Sequence, residues 1–459
     1  MSFIFTHRIY RSLLQSPARV SIFGFVILIF IGTLLLMLPA ASTTKGLCFE
    51  DALFTSTSAS CVTGLAVTDT GHGLSLFGQL VILLLIQLGG LGIMTFSTLV
   101  LLMAGKRPSL AGRFVIQDTL TGRGERSLYS VLRDIITFTF VFEGLGMVVM
   151  FFRFIPNNGI SHALYLSLFH SVSAFCNAGF SLFHNSLSGY QNDWILNMVT
   201  SLLIVSGGIG FLVISELKHK VPYSRRRLSQ LSLHSKVVLS TTVTLIVASW
   251  LLITLMEWDN TLSALSFPNR FLAGFFQAIS ARTAGFNTLP IGNLANETLF
   301  LLILLMFIGA SPGSCGGGIK TSTFATLILL GVSRLRGLEK PQIFHRTISH
   351  ESVGKAVSII MISMLVVIIG TMLLLMTELG EVPHPMSRGN FLELLFEVVS
   401  AFGTVGLSTG LTGGLTAAGK IILTVIMFVG RLGPLVIAMA LSRKIAPKYR
   451  YAEETIMIG

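Results

Sequence analysis

The sequence predicts an all-α polytopic membrane protein built from four similar units, and three observations support this fold class. The first is composition: 52% of the 459 residues are hydrophobic and 11% are charged, with a mean hydropathy of +0.79. A soluble domain carries about 25% charged residues. The second is a short glycine-terminated motif that occurs once in each quarter of the chain. The third is the repeated order of apolar segments around that motif.

All four copies of the motif begin with Ser-Ala and end on a glycine. The closing glycines are Gly64, Gly179, Gly285 and Gly406. They lie 115, 106 and 121 residues apart, close to a quarter of the chain, which indicates one unit used four times. The third copy is one residue shorter, which leaves open whether its Ser280 corresponds to the first serine of the other copies.

Each quarter contains a first span, a half-span that precedes the motif, and a second span (M1–P–M2). The first spans are predicted at 18–38, 128–154, 236–257 and 352–378. The half-spans are predicted at 49–60, 160–175, 268–281 and 388–402. The second spans are predicted at 74–104, 193–217, 297–332 and 416–442. The four repeats are therefore assigned to residues 1–105, 106–220, 221–335 and 336–459.

The half-spans contain about 12–16 residues, too few to cross a hydrocarbon core of about 30 Å as helices. They must enter the membrane and turn back, and the turning backbone must face protein or a water-filled path. Each half-span directs the negative end of its helix dipole at its motif, which favours a cation there. We therefore expect pseudo-fourfold symmetry around one ion pathway.

The loops that follow the half-spans are the predicted selectivity filter. The expected ion-binding residues are Val62, Thr63, Gly64, Asn177, Ala178, Gly179, Thr283, Ala284, Gly285, Thr404, Val405 and Gly406. No carboxylate occurs among them, whereas calcium and magnesium sites use carboxylates. A ring of backbone carbonyls instead suits a monovalent cation such as potassium. The alternative is that these glycines only mediate helix packing.

Charge distribution predicts the orientation of the chain. The net charge is +12, and most basic residues fall near the N-terminus and in residues 106–133, 218–236, 334–355 and 443–450. Because basic loops stay cytoplasmic, both termini are expected inside and the glycine motifs toward the outside of the cell membrane. This pattern argues against nucleic acid as a partner. The chain has no C-x-x-C pair and no catalytic motif, so no enzyme, cofactor or resident metal is predicted.

The second span of the third quarter is interrupted by helix breakers. The interrupting residues are Ser311, Pro312, Gly313, Ser314, Cys315, Gly316, Gly317 and Gly318. Five of these eight residues are proline or glycine, which a helix does not tolerate. A broken helix at mid-membrane depth commonly lines a cavity, although a kink that only relieves packing is the alternative.

Three basic side chains fall within the predicted membrane region. A charge such as that of Arg431 costs about 2.5–3.5 kcal/mol at the centre of an inserted helix, so it must face a cavity or partners, or else snorkel to the inner interface. Lys320 either acts with Arg431 or reaches cytoplasmic water. We expect Arg282 to support its loop from behind, bonded to Glu393 or Glu397.

The motifs resemble those of the Trk/Ktr/HKT potassium transporters, and most closely the KtrB-type membrane subunits. The second spans carry the glycine pairs of that family at 89–92, 207–210, 316–320 and 430–433. The resemblance covers nearly the whole chain, and the string at 282–286 is similar to the Ktr pattern. Glycine at all four filter positions implies potassium, because a serine at the first position is associated with sodium preference in plant relatives.

The resemblance also implies how the protein is gated and what it binds. Residues 311–318 would form an intramembrane gating loop below the filter, and Arg431 would lie in the pore and contact its carbonyls. The protein would be a homodimer in the bilayer, on a cytoplasmic KtrA-type ring that binds nucleotide. Potassium would be the substrate, with sodium coupling or stimulation left open.

Other functions fit parts of the same pattern. The chain could be the ion-binding subunit of an ATP-driven potassium pump, although such subunits carry additional spans. It could be a sodium/potassium transporter of the same superfamily. A membrane scaffold that transports nothing would leave the four glycine loops and the broken helix unexplained.

Overall fold

The computed structural model describes residues 17–43, 46–92, 128–220, 230–380 and 382–433. The distal parts of the first and last predicted second spans, at 93–104 and 434–442, lie outside the described residues. So do most of the basic segments on which the predicted orientation depends.

The regular structure of the described residues is helical apart from one short hairpin, and its elements follow one another in four sets. The first set is α1 (Pro17–Leu36), α2 (Phe49–Ser60) and α3 (Leu76–Gly90). The second set is α4 (Leu128–Asn158), α5 (Ile160–Phe175), α6 (Trp194–Ile209) and α7 (Phe211–Lys220). The third set is α8 (Leu233–Met256), α9 (Phe267–Ser280), α10 (Asn296–Phe307) and α11 (Thr321–Leu335). A small hairpin, β1 (Gln342–Ile343) and β2 (Arg346–Thr347), precedes the last set, α12 (His350–Glu378), α13 (Asn390–Gly403) and α14 (Ala417–Leu432).

Short turns join these elements. The hairpin is antiparallel and pairs Gln342 with Thr347 and Ile343 with Arg346. Single 3-10 turns occur at Pro39–Ala41, Ser188–Tyr190, Ile291–Asn293, His384–Met386 and Thr412–Gly414. Polar side chains start several helices by accepting a hydrogen bond from the first turn; Ser75 does so for α3 and Asp193 for α6.

The predicted half-spans are confirmed as short helices. Helices α2 and α5 have the predicted bounds, and α9 and α13 differ from them by one or two residues. The predicted break in the third second span is also confirmed, because no helix is present between Phe307 and Thr321. These boundaries were predictable because each short helix ends three to five residues before the closing glycine of its motif.

The prediction of one continuous second span at 193–217 is wrong. Helices α6 and α7 meet at Gly210 with a bend of 99°. Gly210 has a φ of 99°, in the region that favours glycine. The next amide, that of Phe211, donates to the carbonyl of Gly313 at 3.0 Å and so leaves the pattern of a continuous helix. The bend therefore exists because a carbonyl within residues 311–318 accepts a hydrogen bond from the first amide of α7.

Helix contacts join the four sets in a closed order. The helix that follows the glycine motif in each set, which we call the second-span helix, packs against the short helix of the next set: α3 against α5, α6 against α9, α10 against α13, and α14 against α2. Each short helix also packs against the first helix of its own set. The short helices therefore lie in the interior, and the long helices surround them.

The outer surface of this assembly is apolar. Helices α4, α8 and α12 contain stretches long and apolar enough to cross a membrane, and only about a third or less of each stretch is buried. Large side chains such as Phe30, Phe152 and Met372 face outward. Because a protein in water does not expose contiguous apolar surface of this extent, the chain is a helical membrane protein.

Candidate functional site

The four loops that follow the short helices share one backbone pattern. Two residues before each closing glycine lies a non-glycine residue in the left-handed region. These residues are Val62, Asn177, Thr283 and Thr404, with φ of 57°, 59°, 69° and 49°. The closing glycines also have positive φ, of 95°, 70°, 77° and 90° in chain order. Left-handed conformations of non-glycine residues cost about 1–3 kcal/mol and persist only where the surroundings impose them.

The closing glycines pack against one another in a ring. A Cβ atom built on Gly64 would lie less than 3.0 Å from the carbonyl oxygen of Ala178 in the next loop. The same is true of each following loop. The added Cβ would approach the carbonyl oxygen of Ala284 from Gly179, of Val405 from Gly285, and of Thr63 from Gly406. The fourth loop thus returns to the first and closes the ring. We call these four loops the glycine ring; it has no space for a side chain at any of its four glycines.

Side chains in the glycine ring point into the protein. The two residues before each glycine are fully buried. Gly64, Gly179 and Gly406 remain partly exposed. The ring therefore offers backbone atoms, rather than side chains, to anything at its centre.

A serine near the end of each short helix fixes its loop. The Oγ atoms of Ser58 and Ser400 accept hydrogen bonds of 3.1 Å from the amides of Gly64 and Gly406. Ser173 instead donates at 2.7 Å to the carbonyl of Phe180, just past its glycine. Ser280 likewise donates to the carbonyl of Phe286. This settles the open question about the shorter third motif, because Ser280 makes the same contact as Ser173.

Loops two and four are also held by a polar side chain nine residues before the glycine. His170 Nε2 lies 3.0 Å from Ser181 Oγ and accepts from the amide of Leu182 at 3.4 Å. Glu397 accepts from Ser408 Oγ at 2.5 Å and from the amide of Thr409 at 3.1 Å. Sequence reasoning missed this pair. The available signal is a serine two residues after the glycine, which these two loops have and the other two lack.

The expected bond from Arg282 to Glu393 or Glu397 is not formed. The Glu397 carboxylate is taken by the loop that follows Gly406. Arg282 instead lines a small cavity beside Ile204, Gly208 and Thr242. Its Nε has no hydrogen-bond partner among the described residues. The bond to the glutamates is not formed because the Arg282 side chain extends from its loop toward α6 and α8, away from α13.

Residues 311–318, which we call the internal loop, lie directly against the glycine ring. A Cβ atom on Gly316 would lie less than 3.0 Å from the hydroxyl of Thr283, and one on Gly317 equally near that of Thr404. The amide of Gly317 donates to Thr404 Oγ1 at 3.0 Å. The internal loop therefore contacts the third and fourth loops on the side that precedes their glycines.

Other backbone hydrogen bonds of the internal loop are formed with α6 and α14. The amides of Ser311 and Cys315 donate to the carbonyls of Gly208 and Gly207, at 3.0 and 3.1 Å. The amide of Gly318 donates to the carbonyl of Gly430 at 3.3 Å. The internal loop is thus held by the glycine-rich ends of α6 and α14.

Two cationic side chains bind carbonyl oxygens of this region. Arg431 donates through Nη1 to the carbonyl of Cys315 and through Nη2 to the carbonyl of Gly89. Lys320 Nζ donates to the carbonyl of Gly316 at 2.6 Å. Arg431 therefore joins the internal loop to the end of α3, while Lys320 closes the internal loop on itself.

Glycines in α3, α6 and α14 allow these helices to approach the short helices closely. A Cβ atom on Gly89 would lie less than 3.0 Å from the carbonyl of Ser60. A Cβ atom on Gly207 would lie less than 3.0 Å from the carbonyl oxygen of Phe175, and one on Gly430 less than 3.0 Å from that of Phe402. Each of these carbonyls belongs to the end of the short helix of the same set. These glycines bring the second-span helices directly beneath the glycine ring.

Comparison with known proteins shows which family the chain resembles along its length. A model of the TrkH family, described as a cation transport protein, matches residues 3–452. The Ktr system potassium uptake protein B of Bacillus subtilis is 40% identical over 97% of this chain and 97% of its own length. The potassium/sodium uptake protein NtpJ of Enterococcus hirae is 36% identical, also over 97% of each chain.

A solved structure shares the fold. The crystal structure of the potassium transporter TrkH from Vibrio parahaemolyticus matches with a TM-score of 0.69 at 20% identity. The match covers 91% of this chain and 84% of that one. At this identity the likeness concerns the path of the backbone alone.

Proposed function

Because the chain belongs to the TrkH family of cation transport proteins, we propose that it takes up potassium through a pathway at the centre of the glycine ring. The observation that carries this proposal is the closed ring, in which each loop places a carbonyl oxygen against the glycine of its neighbour. Potassium is favoured because a relative that is 40% identical is named a potassium uptake protein. No enzymatic activity is proposed.

The pathway is surrounded by four M1–P–M2 repeats related by pseudo-fourfold symmetry. The repeats are residues 1–105, 106–220, 221–335 and 336–459. Support comes from the closed order of helix contacts and from the common backbone pattern of the four loops. Four equivalent loops offer four equivalent carbonyls, which is the arrangement that replaces the water around potassium.

Selection rests on backbone oxygens, since the side chains before the glycines are buried. Potassium flow is passive and driven by the membrane potential, about 2.3 kcal/mol per charge for each 100 mV. The pathway lies in the cell membrane with both termini in the cytoplasm, so a potential that is negative inside draws potassium inward. The alternative, transport of sodium as well, is favoured by the 36% identity to a potassium/sodium uptake protein.

The internal loop is the gate. It lies against the third and fourth loops, and hydrogen bonds with Thr404, Arg431 and Lys320 hold it there. Arg431 places a positive charge beside the pathway, where it repels a passing cation and holds the gate through Cys315. Release of this contact opens the pathway.

The gate responds to a cytoplasmic partner. We assign the chain to a homodimer on a KtrA-type nucleotide-binding ring, because a relative over the whole chain belongs to a Ktr system. The described residues contain no nucleotide-binding fold, only helices and one short hairpin. Nucleotide control must therefore reach the internal loop through helix movement.

Potassium-limited growth tests the substrate. An uptake-deficient bacterium that expresses the wild-type chain and its partner should grow at low potassium. Gly406→Ser should lower the potassium preference and admit sodium, since a hydroxymethyl group has no space beside Thr63. Gly331→Ala, in α11 where nothing lies near the new Cβ, is the matched control. Failure of the wild type to support growth, or unchanged ion preference in Gly406→Ser, would contradict the proposal.

Purified protein in vesicles separates a channel from a pump. A potassium gradient or an imposed voltage should drive flux with no ATP present. Flux that appears only when ATP and an ATPase are supplied would instead identify an ion-binding pump subunit.

A further inference from the structure

A cluster of three potential metal ligands lies on the side of the glycine ring away from the internal loop. Asp69 follows Gly64 by five residues, and His184 follows Gly179 by five residues. His72 lies one turn after Asp69. The ligand atoms of these three side chains all lie within 4.8 Å of one another. The transport pathway proposed above makes no use of them.

The local backbone sets the position of the Asp69 carboxylate. Its Oδ1 accepts hydrogen bonds from the amides of Gly71 at 2.8 Å and His72 at 3.1 Å. This is the turn geometry typical of an aspartate that binds its own backbone two residues on. The turn requires Oδ1 alone, so Oδ2 is directed toward the two histidines.

Both histidines approach Oδ2 through the same ring atom. His72 Nδ1 lies 3.4 Å from Asp69 Oδ2, and His184 Nδ1 lies 2.5 Å from it. A tetrahedral zinc ion with ligands at about 2.0–2.2 Å holds neighbouring ligand atoms about 3.3–3.5 Å apart. The His72 pair already has this separation. The His184 side chain is 73% exposed, so it can move outward by the small distance that remains.

The two loops that carry these ligands are packed together. A Cβ atom on Gly71 would lie less than 3.0 Å from the backbone of Leu182. The rings of His72 and His184 meet edge to face, with centroids 6.3 Å apart. The scaffold therefore positions ligands from two different repeats without a long-range rearrangement.

We propose that Asp69, His72 and His184 bind one zinc ion, with water in the fourth position. Two imidazole nitrogens and one carboxylate oxygen form a ligand set that suits zinc and other borderline divalent cations. Magnesium and calcium take oxygen ligands, usually six or more, and fit this set poorly. The bound ion links the loop after Gly64 to the loop after Gly179, and it places a positive charge near the glycine ring. The site does not depend on the proposed transport function.

Zinc binding by the full, untagged chain in detergent tests the proposal. After removal of metal with a chelator, zinc is titrated in competition with a chromophoric chelator, and cobalt is used as a spectroscopic probe of tetrahedral geometry. The wild type should bind zinc and show the intense visible bands of tetrahedral cobalt. Asp69→Asn keeps the turn acceptor but removes the charge, and should weaken zinc binding by about tenfold or more.

Matched variants locate the site. The double variant His72→Ala/His184→Ala should lose one zinc per chain and the cobalt bands. His162→Ala removes another exposed histidine and should match the wild type. Gel filtration confirms that the variants remain folded. The proposal is overturned if the double variant binds zinc as the wild type does, or if millimolar magnesium or calcium displaces the bound zinc.

Discussion

The glycine ring and the internal loop touch each other, yet they are held in different ways. Each loop of the ring is fixed by the serine of its own short helix and by the backbone of the next loop. The internal loop has no helix of its own and is held by hydrogen bonds to α6, α14 and the Thr404 hydroxyl. Its two cationic contacts add to these.

This difference fits the proposed function, which assigns selection to the glycine ring and gating to the internal loop. The ring cannot change shape without disturbing a packed core, which suits a structure that must hold fixed distances. A hydrogen bond to a charged group contributes about 1.5–3 kcal/mol, so a few of them hold the internal loop in an arrangement that a partner can reverse. The proposed selection therefore belongs to the rigid glycine ring, and the proposed gating to the internal loop beside it.

The largest effect is expected from a methyl group in the ring. In Gly285→Ala, the new Cβ would lie less than 3.0 Å from the Val405 carbonyl at a φ of 77°. Because the ring cannot close around it, potassium flux in vesicles should fall by about 5–150-fold, the loss that corresponds to a strain of about 1–3 kcal/mol. Gly331→Ala should keep wild-type flux. Normal flux in Gly285→Ala would show that the ring is not the pathway.

Removal of the internal loop should have the next largest effect, in the opposite direction. Deletion of residues 311–318 removes the segment that lies against Thr283 and Thr404. Potassium flux without the regulatory partner should rise, while the preference for potassium over sodium should persist because the ring remains. Gel filtration checks that the variant is folded. Unchanged flux in a folded variant would argue against a gate.

Loss of the Arg431 guanidinium should reproduce part of that increase. Arg431→Ala removes the link between Cys315 and Gly89. We expect about 3–10-fold higher flux, since the lost bonds contribute about 1.5–3 kcal/mol before the loop relaxes. Arg431→Lys should be intermediate because an ammonium cannot span both carbonyls as a guanidinium does. Arg334→Ala, at an exposed position of α11, is the control. Wild-type kinetics in Arg431→Ala would contradict the assigned contact.

Lys320→Met should act more weakly. The methionine keeps most of the length of the side chain but loses the bonds to the Gly316 and Gly317 carbonyls. Both bonds lie within the internal loop, and the bridge to α3 remains, so an increase in flux of about twofold is expected. Lys340→Met, on the exposed segment after α11, should have no effect. A decrease in flux would instead mean that Lys320 stabilises the open state.

Behind the fourth loop, the expected effect is on the stability of the protein. Glu397→Gln replaces one of the two acceptor oxygens by an NH₂ group. The side chain can then accept only some of the hydrogen bonds that Ser408, Thr409 and Thr412 donate. The free energy of unfolding should fall by about 1–3 kcal/mol, measured as a lower melting temperature. Glu393→Gln, on the same helix but half-buried, should change it less. Equal shifts in both variants would mean that Glu397 does not specifically fix the loop.

The positions of the short helices and the break in the third set were predictable from the sequence because both depend on local properties. A stretch of 12–16 residues that ends in glycine cannot be a span, and Pro312 with four glycines cannot continue a helix. The bend at Gly210 was not predictable. It depends on a hydrogen bond from Phe211 to Gly313, more than 100 residues away.

The same distinction applies to the site. The ring residues could be identified because the pattern repeats at a regular interval. The direction of Arg282 could not, since it depends on which neighbouring helix offers space. His170 and Glu397 make similar contacts through different chemistry, so only the serine two residues after each glycine marks them in the sequence.

Anomalous diffraction from crystals soaked in rubidium, a potassium analogue, tests the central claim most directly. The account predicts an anomalous peak on the axis of the glycine ring, within coordination distance of the carbonyl oxygens of loops from all four repeats. Sodium-grown crystals should lack it. A ring with no peak, or a peak held by side-chain carboxylates elsewhere in the protein, would contradict the account.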